Sequence, residues 1–91
     1  MALSGTGAAI PHEVDLSWNA PVSSPDPVSG YNVYRAIGSG SFQQINILVQ
    51  VQTTYVDSTV SSGVTYNYEV RSVDSGGVES DPSNQVDVTI P

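Results

Sequence analysis

Three carboxylates in one short stretch, Asp74, Glu79 and Asp81 of D-S-G-G-V-E-S-D, come nearest in type and spacing to residues that do chemistry. A glycosidase needs two carboxylates held across a substrate cleft, whereas these share one loop, and a 91-residue chain has little room for a cleft. Calcium seeks about six to eight oxygen ligands, and the spacing here is not that of an EF-hand loop. A solvated loop is the plainer reading. The single histidine, His12, has no cysteine or second imidazole with which to share a metal, and reads as a solvated strand end. Asp26, between two prolines, reads as a turn residue. Cysteine is absent, which removes disulfides, thiolate chemistry and cysteine-based zinc sites and leaves the redox compartment open. The sequence therefore assigns no catalytic residue, no metal ligand and no cofactor.

The charge balance excludes further classes. Nine carboxylates stand against Arg35 and Arg71, without a lysine, for a net charge of −7. Phosphate backbones and anionic lipid headgroups repel such a surface, so neither nucleic-acid nor membrane-surface binding is expected. No apolar run is long enough to cross a bilayer, and residues 1–10 lack the charged and apolar regions of a signal peptide. If the protein is exported, its signal lies outside this stretch. No N-x-S/T sequon occurs.

At 91 residues one domain is expected, burying roughly 60 to 65% of its unfolded surface. Its elements read as strands. In V-S-S-G-V-T-Y-N-Y-E-V, residues 60–70, a turn feeds a strand running to about Val73, in which Tyr66, Tyr68 and Val70 alternate with Asn67, Glu69 and Arg71. Val14, Leu16 and Trp18 alternate with polar residues over His12–Asn19, and Val86, Val88 and Ile90 do so over Asn84–Ile90. Residues 20–30 hold three prolines and a glycine and form a loop. Tyr31–Ala36 is a strand whose alternation alone is ambiguous, with Tyr31 and Val33 on one face and Tyr34 on the other. A second, weaker strand fits within Phe42–Val51 and another Thr53–Asp57, with Tyr55 inward; Gly76–Gly77 marks a turn. Residues 1–10 read as a linker or weak first strand. No helix is expected, and short strands with turns at intervals of about 8 to 12 residues argue an all-β sandwich.

The set of Trp18, G-Y-N-V-Y, V-x-x-G-x-x-Y and the Ser83–Val86 start of the last strand resembles the fibronectin type III family over residues 11–91. The resemblance implies an immunoglobulin-like sandwich of seven antiparallel strands. It puts Tyr31 and Val33 inside, tucks Val28 inward, and places the Arg35 stem on the inner face with its guanidinium in water. It also makes Tyr66 the tyrosine of the "tyrosine corner", whose hydroxyl bonds backbone upstream. Trp18, Tyr31, Val33, Tyr66 and Tyr68 are thus the expected structural residues. Leu3–Gly7, L-S-G-T-G, resembles the tail of a preceding module. The G-Y-N-V-Y-R and V-D-S-G-G-V-E-S stretches look like those of exported bacterial proteins, which implies a secreted or cell-surface location.

The remaining candidate is a binding face. Asn32, Tyr34, Asn67, Glu69, Arg71 and Val73 fall on the predicted outer side, with Asp87 and Thr89 beside them. Tyr34 and Arg71 either form a cation–π pair, or Tyr34 is an aromatic on which a sugar or partner docks. Scattered outward aromatics are ordinary on antiparallel sandwiches. Two functional classes stand above a catalytic one. The first is a non-catalytic spacer whose partners are neighbouring domains of the same chain. The alternative is a recognition module binding protein or carbohydrate through Asn32, Tyr34, Glu69 and Arg71 or through loops. An RGD tripeptide is absent from the Gly76–Gly77 loop, and a monomer is expected. Seven passes put the two ends at opposite poles, with Leu3–Gly7 as a hinge and Pro11 and Pro91 far apart. The uncharged, β-prone window Ile47–Val56 is the expected aggregation hazard.

Overall fold

Strand propensity and alternation are realised as seven strands in the computed structural model, which describes residues 1–21, 28–46 and 50–91. They are β1 (Ser4–Ala9), β2 (His12–Ser17), β3 (Val28–Ile37), β4 (Gln43–Gln44), β5 (Thr54–Asp57), β6 (Thr65–Asp74) and β7 (Val86–Thr89). Two antiparallel sheets result, ordered β1-β2-β5 (sheet A) and β4-β3-β6-β7 (sheet B). The fold is an immunoglobulin-like sandwich of fibronectin type III topology, with no helix among the described residues. The weaker strand expected within Phe42–Val51 shrinks to the two residues of β4. Part of the aggregation window, residues 47–49, and most of the proline-rich loop with Asp26, residues 22–27, lie outside the described residues.

The inward residues of both sheets meet in one core containing Val14, Leu16, Trp18, Tyr31, Val33, Tyr66, Tyr68, Val70, Val88 and Ile90. Each aliphatic chain fully buried there contributes about 1.5 to 3 kcal/mol. Trp18 meets Tyr31 edge to face, with ring centroids 5.4 Å apart. Val28 and Tyr55 are half-buried against the same core. At the β5–β6 corner the Tyr66 hydroxyl accepts the Ser61 N–H at 2.8 Å. Gly63 turns the chain there with φ of 78°, a left-handed conformation that side chains resist.

Of the two readings of residues 1–10, linker or weak first strand, the structure has the strand over Ser4–Ala9, and the hinge expected at Leu3–Gly7 is not found there. Six cross-strand pairs join β1 to β2, from Ser4↔Ser17 to Ala9↔His12. Two glycines let β1 lie against β7: a Cβ on Gly5 would stand 3.2 Å from Val88 Cγ2, besides 2.9 Å from Leu16 Cδ2 of β2, and one on Gly7 3.0 Å from Val88 Cγ1. Leu3 is fastened to Asn84 through two hydrogen bonds, its N–H donating at 2.8 Å and its carbonyl accepting at 3.0 Å. β1 therefore runs beside β7 in the same direction, and the chain enters at the start of β7 and leaves at its end. This corrects the expected position of Pro11. It sits in the β1–β2 turn at the pole of Pro91, because the first pass begins at Ser4 and not at Pro11.

Arg35 is engaged more closely than expected. Its side chain stays 17% exposed, yet Nη1 donates to Asp57 Oδ2 at 2.9 Å and to Thr59 Oγ1 at 2.8 Å, and the group lies 5.1 Å from the centre of the Tyr66 ring. Asp57, only 3% exposed, also accepts the Tyr68 hydroxyl at 2.7 Å and the Thr59 hydroxyl and N–H at 2.6 and 3.0 Å. Since Asp57 belongs to sheet A and Arg35 and Tyr68 to sheet B, this polar cluster ties the sheets together. Burial pushes the Asp57 carboxyl upward, but the bonds from Thr59, Tyr68 and Arg35 outweigh it and hold the carboxyl below its ordinary value.

Two outcomes are expected. Tyr66→Phe, which removes only the corner hydroxyl, costs about 0.5 to 1.5 kcal/mol in denaturant titrations; an unchanged midpoint would show the Ser61 bond to be idle. Asp57→Ala, which leaves the buried Tyr68 hydroxyl without its acceptor and the half-buried Arg35 without its carboxylate, costs about 1 to 3 kcal/mol. Because the folded carboxyl titrates below the unfolded one at about 3.9, the unfolded chain takes up its proton first. The Asp57 contribution is full at neutral pH and is lost as pH falls through the folded value. Urea midpoints of the parent chain should fall across that acid window, and those of Asp57→Asn should fall less.

Candidate functional site

The register of β3 on β6 pairs Asn32 with Arg71 and Tyr34 with Glu69, so the four candidate residues form a cross-strand block on the outer face of sheet B. The β6–β7 connection folds back over this block. Its turn residue Asp74 accepts the Gly76 and Val78 N–H groups at 2.8 and 2.9 Å, and the Ser80 N–H bonds the Ser72 carbonyl at 2.8 Å. Val73 and Glu79 consequently form a bridge, three residues to either side of Gly76. Glu79 Oε2 accepts Asn32 Nδ2 at 3.0 Å and also the Tyr34 hydroxyl.

The rest of the block is cross-linked as well. The Arg71 guanidinium lies 5.6 Å from the centre of the Tyr34 ring, its Nε is 3.5 Å from Glu69 Oε2, and Nη1 donates to the Ser80 carbonyl at 3.4 Å. Gln85 Nε2 donates to Glu69 Oε1 at 3.3 Å. Asn32 Oδ1 accepts both Gln44 Nε2 at 3.2 Å and Asn46 Nδ2 at 3.1 Å. Nearer β7, Asn67 Nδ2 donates to Asp87, and the Thr65 and Thr89 hydroxyls meet at 2.8 Å.

Of the two readings of Tyr34, the geometry is that of the cation–π pair. The expectation of an open outer face is corrected at three positions. Asn32 and Glu69 are 9% and 5% exposed, and Val73 is buried, because Glu79, Gln44, Asn46, Arg71 and Gln85 cover or engage them. Tyr34 and Arg71 are half-buried. The partner that sequence reasoning missed is Glu79, assigned there to a solvated loop. Counting outward from Gly76 would have paired it with Val73; nothing comparable marks Asn46.

The bond from Tyr34, then that from Asn32, holds the Glu79 carboxyl below its ordinary value, with Arg71 adding to them and burial opposing. Burial and the bond to Glu79 push the Tyr34 phenol up to about 12. The three loop carboxylates are thus pulled apart in role: Asp74 closes the turn, Glu79 caps Tyr34 and Asn32, and Asp81 is exposed. Among the described residues no group of three His, Cys, Asp or Glu side chains is placed to hold a metal ion. His12 is exposed at the start of β2.

Removing the phenol hydroxyl with Tyr34→Phe should move the Glu79 carboxyl up toward the ordinary glutamate range, read from its carboxyl carbon shift in an NMR titration. Stability should change by less than about 1 kcal/mol, since the pair is largely solvated. A Glu79 titration unmoved by the substitution would place the loop off the face.

Comparison with known proteins agrees with this architecture. The family model for the fibronectin type III domain matches residues 4–89. An amylopullulanase of Thermoanaerobacter thermohydrosulfuricus is 38% identical over 86 residues, covering 94% of this chain and 5% of the relative. A poly(3-hydroxybutyrate) depolymerase of Ralstonia pickettii is 38% identical over 79 residues, covering 84% of this chain and 13% of that one. The chain thus spans a small fraction of the curated relatives it matches. Among solved structures, a Fn3-like protein from Clostridium thermocellum superposes with a TM-score of 0.80 at 30% identity, covering 99% of this chain and 88% of that one. With the family model matched over nearly its whole length, this chain belongs to the fibronectin type III family.

Proposed function

We propose that this chain is a non-catalytic module that spaces and orients neighbouring domains of a larger exported bacterial protein. The observation that carries the reading is the fixing of the backbone at both ends. Leu3 is held by Asn84 where the chain enters. Where it leaves, Ile90 exchanges hydrogen bonds with Gly63 and Val64, at 2.9 and 3.1 Å, and the Ser62 hydroxyl donates to the Pro91 carbonyl at 2.9 Å. A domain attached at either end would be attached to the sandwich itself. The small share of the bacterial relatives that this chain covers supports a module among others. Recognition through Asn32, Tyr34, Glu69 and Arg71 has less support, because those groups are already directed at one another.

Running beside β7 from Asn84 to Pro91, at about 3.3 Å per residue, the module separates its two attachment points by about 23 Å. Because the chain has no cysteine, Ala2→Cys and Pro91→Cys give unique spin-label sites. Pulsed dipolar measurements should return one narrow distance near that value, lost cooperatively in denaturant. A broad native distribution, or labels in near contact, would remove the spacer reading.

A further inference from the structure

The outer face of sheet A contrasts with that of sheet B. Its register aligns Ser4 with Ser17 and Thr54 in one row, and Thr6 with Asp15 and Val56 in the next. These side chains are short, and they line a trench of about 310 Å³. The Ser4 and Ser17 hydroxyls meet at 3.1 Å. Asp15, exposed in the middle of its row, has no side-chain hydrogen bond or ion pair among the described residues.

No arginine or lysine of this chain can neutralise Asp15. There is no lysine, Arg35 is bound to Asp57 between the sheets, and Arg71 is bound to Glu69 and stacked on Tyr34 on the far face. Val56, 53% exposed, stands directly across from Asp15 and offers an apolar shelf. A carboxylate beside hydroxyls and next to an apolar wall suits an arginine, whose stem packs while its fork reaches acceptors.

We infer that the trench over Thr6, Asp15 and Val56 is a docking surface for a basic, arginine-bearing segment of a neighbouring domain. The arginine stem lies on Val56, and its guanidinium meets Asp15 with Thr6 beside it. The source of the partner rests on the module reading above; the chemistry of the trench does not. Such a contact is weak when free, yet a tethered partner at millimolar effective concentration occupies it.

The test is an amide NMR titration of the 91-residue chain with a short glycine–arginine peptide, with the same peptide carrying neutral citrulline in place of arginine, and with maltohexaose. The arginine peptide should shift residues 4–6, 15–17 and 54–56, the citrulline peptide should not, and Asp15→Asn should weaken the response about fivefold. Shifts spread equally over Asp74, Asp81 and Asp87 would mean counter-ion binding only and overturn the inference. An Asp15→Asn chain titrating like the parent would overturn it too, as would maltohexaose shifting the same cluster. None of these outcomes bears on the distance between residues 2 and 91, so failure of the trench and failure of the spacer remain distinguishable.

Discussion

The two sheets are held in one relative position by a carboxylate that cannot be left alone. Asp57 is buried, and a buried unpaired charge costs several kcal/mol, so Arg35, Tyr68 and Thr59 must all be where they are. An ion pair of this kind is weak evidence of net stability, since an apolar replacement of the whole cluster is often neutral. What it supplies is registration. A one-residue slip of β5 would turn Asp57 outward, leave the Tyr68 hydroxyl unpaired in the core and take from Arg35 its carboxylate. The same arginine lies over the ring of Tyr66, whose hydroxyl fixes the corner, so corner and ion pair constrain each other.

That registration reaches the surface. With β6 fixed from the inside by Tyr66 and Tyr68, its outward residues Glu69 and Arg71 fall opposite Tyr34 and Asn32. The Gly76 turn then brings Glu79 down onto the pair. Both arginines are spent inside the molecule, one between the sheets and one on the outer face of sheet B. Tyr34 is consequently a roof beam of a closed network and not a free platform.

The fold was legible because its signals are local. Alternation at Val14, Leu16 and Trp18, and at Tyr66, Tyr68 and Val70, needs no knowledge of neighbours, and the family pattern resolved Tyr31 and Val33. Two things were not legible, for different reasons. Residues 1–10 read as either linker or weak first strand because small residues carry no hydrophobic signal; Gly5 and Gly7 lack side chains where β7 approaches closely, which only the tertiary structure reveals. The partners of Arg35 and Asn32 lie 22 and 47 residues away in sequence, and a charge pattern without topology cannot choose among nine carboxylates. Trp18 and Tyr66 identify the sandwich, while Asp57 and Glu79 decide what its surfaces are.

The distribution of charge carries the matter one step further. With both arginines engaged, the side chains left to solvent at neutral pH present carboxylates alone, Asp15, Asp74, Asp81 and Asp87 among them. Acidic surfaces of this kind repel one another at long range. At physiological ionic strength that repulsion fades within about 8 Å, so net charge cannot by itself select a partner. Selection has to be made at contact, where the two outer faces differ. Around Tyr34, sheet B offers groups whose hydrogen bonds are already made, to Glu79, Gln44, Asn46 and Ser80, and an approaching partner would have to break them before gaining any. Sheet A offers an unpaired carboxylate in a trench of hydroxyls, where desolvation is partial and nothing need be displaced but water. On the module reading proposed above, a neighbouring domain would gain more by meeting sheet A, the sheet whose β1 also fixes where the chain enters.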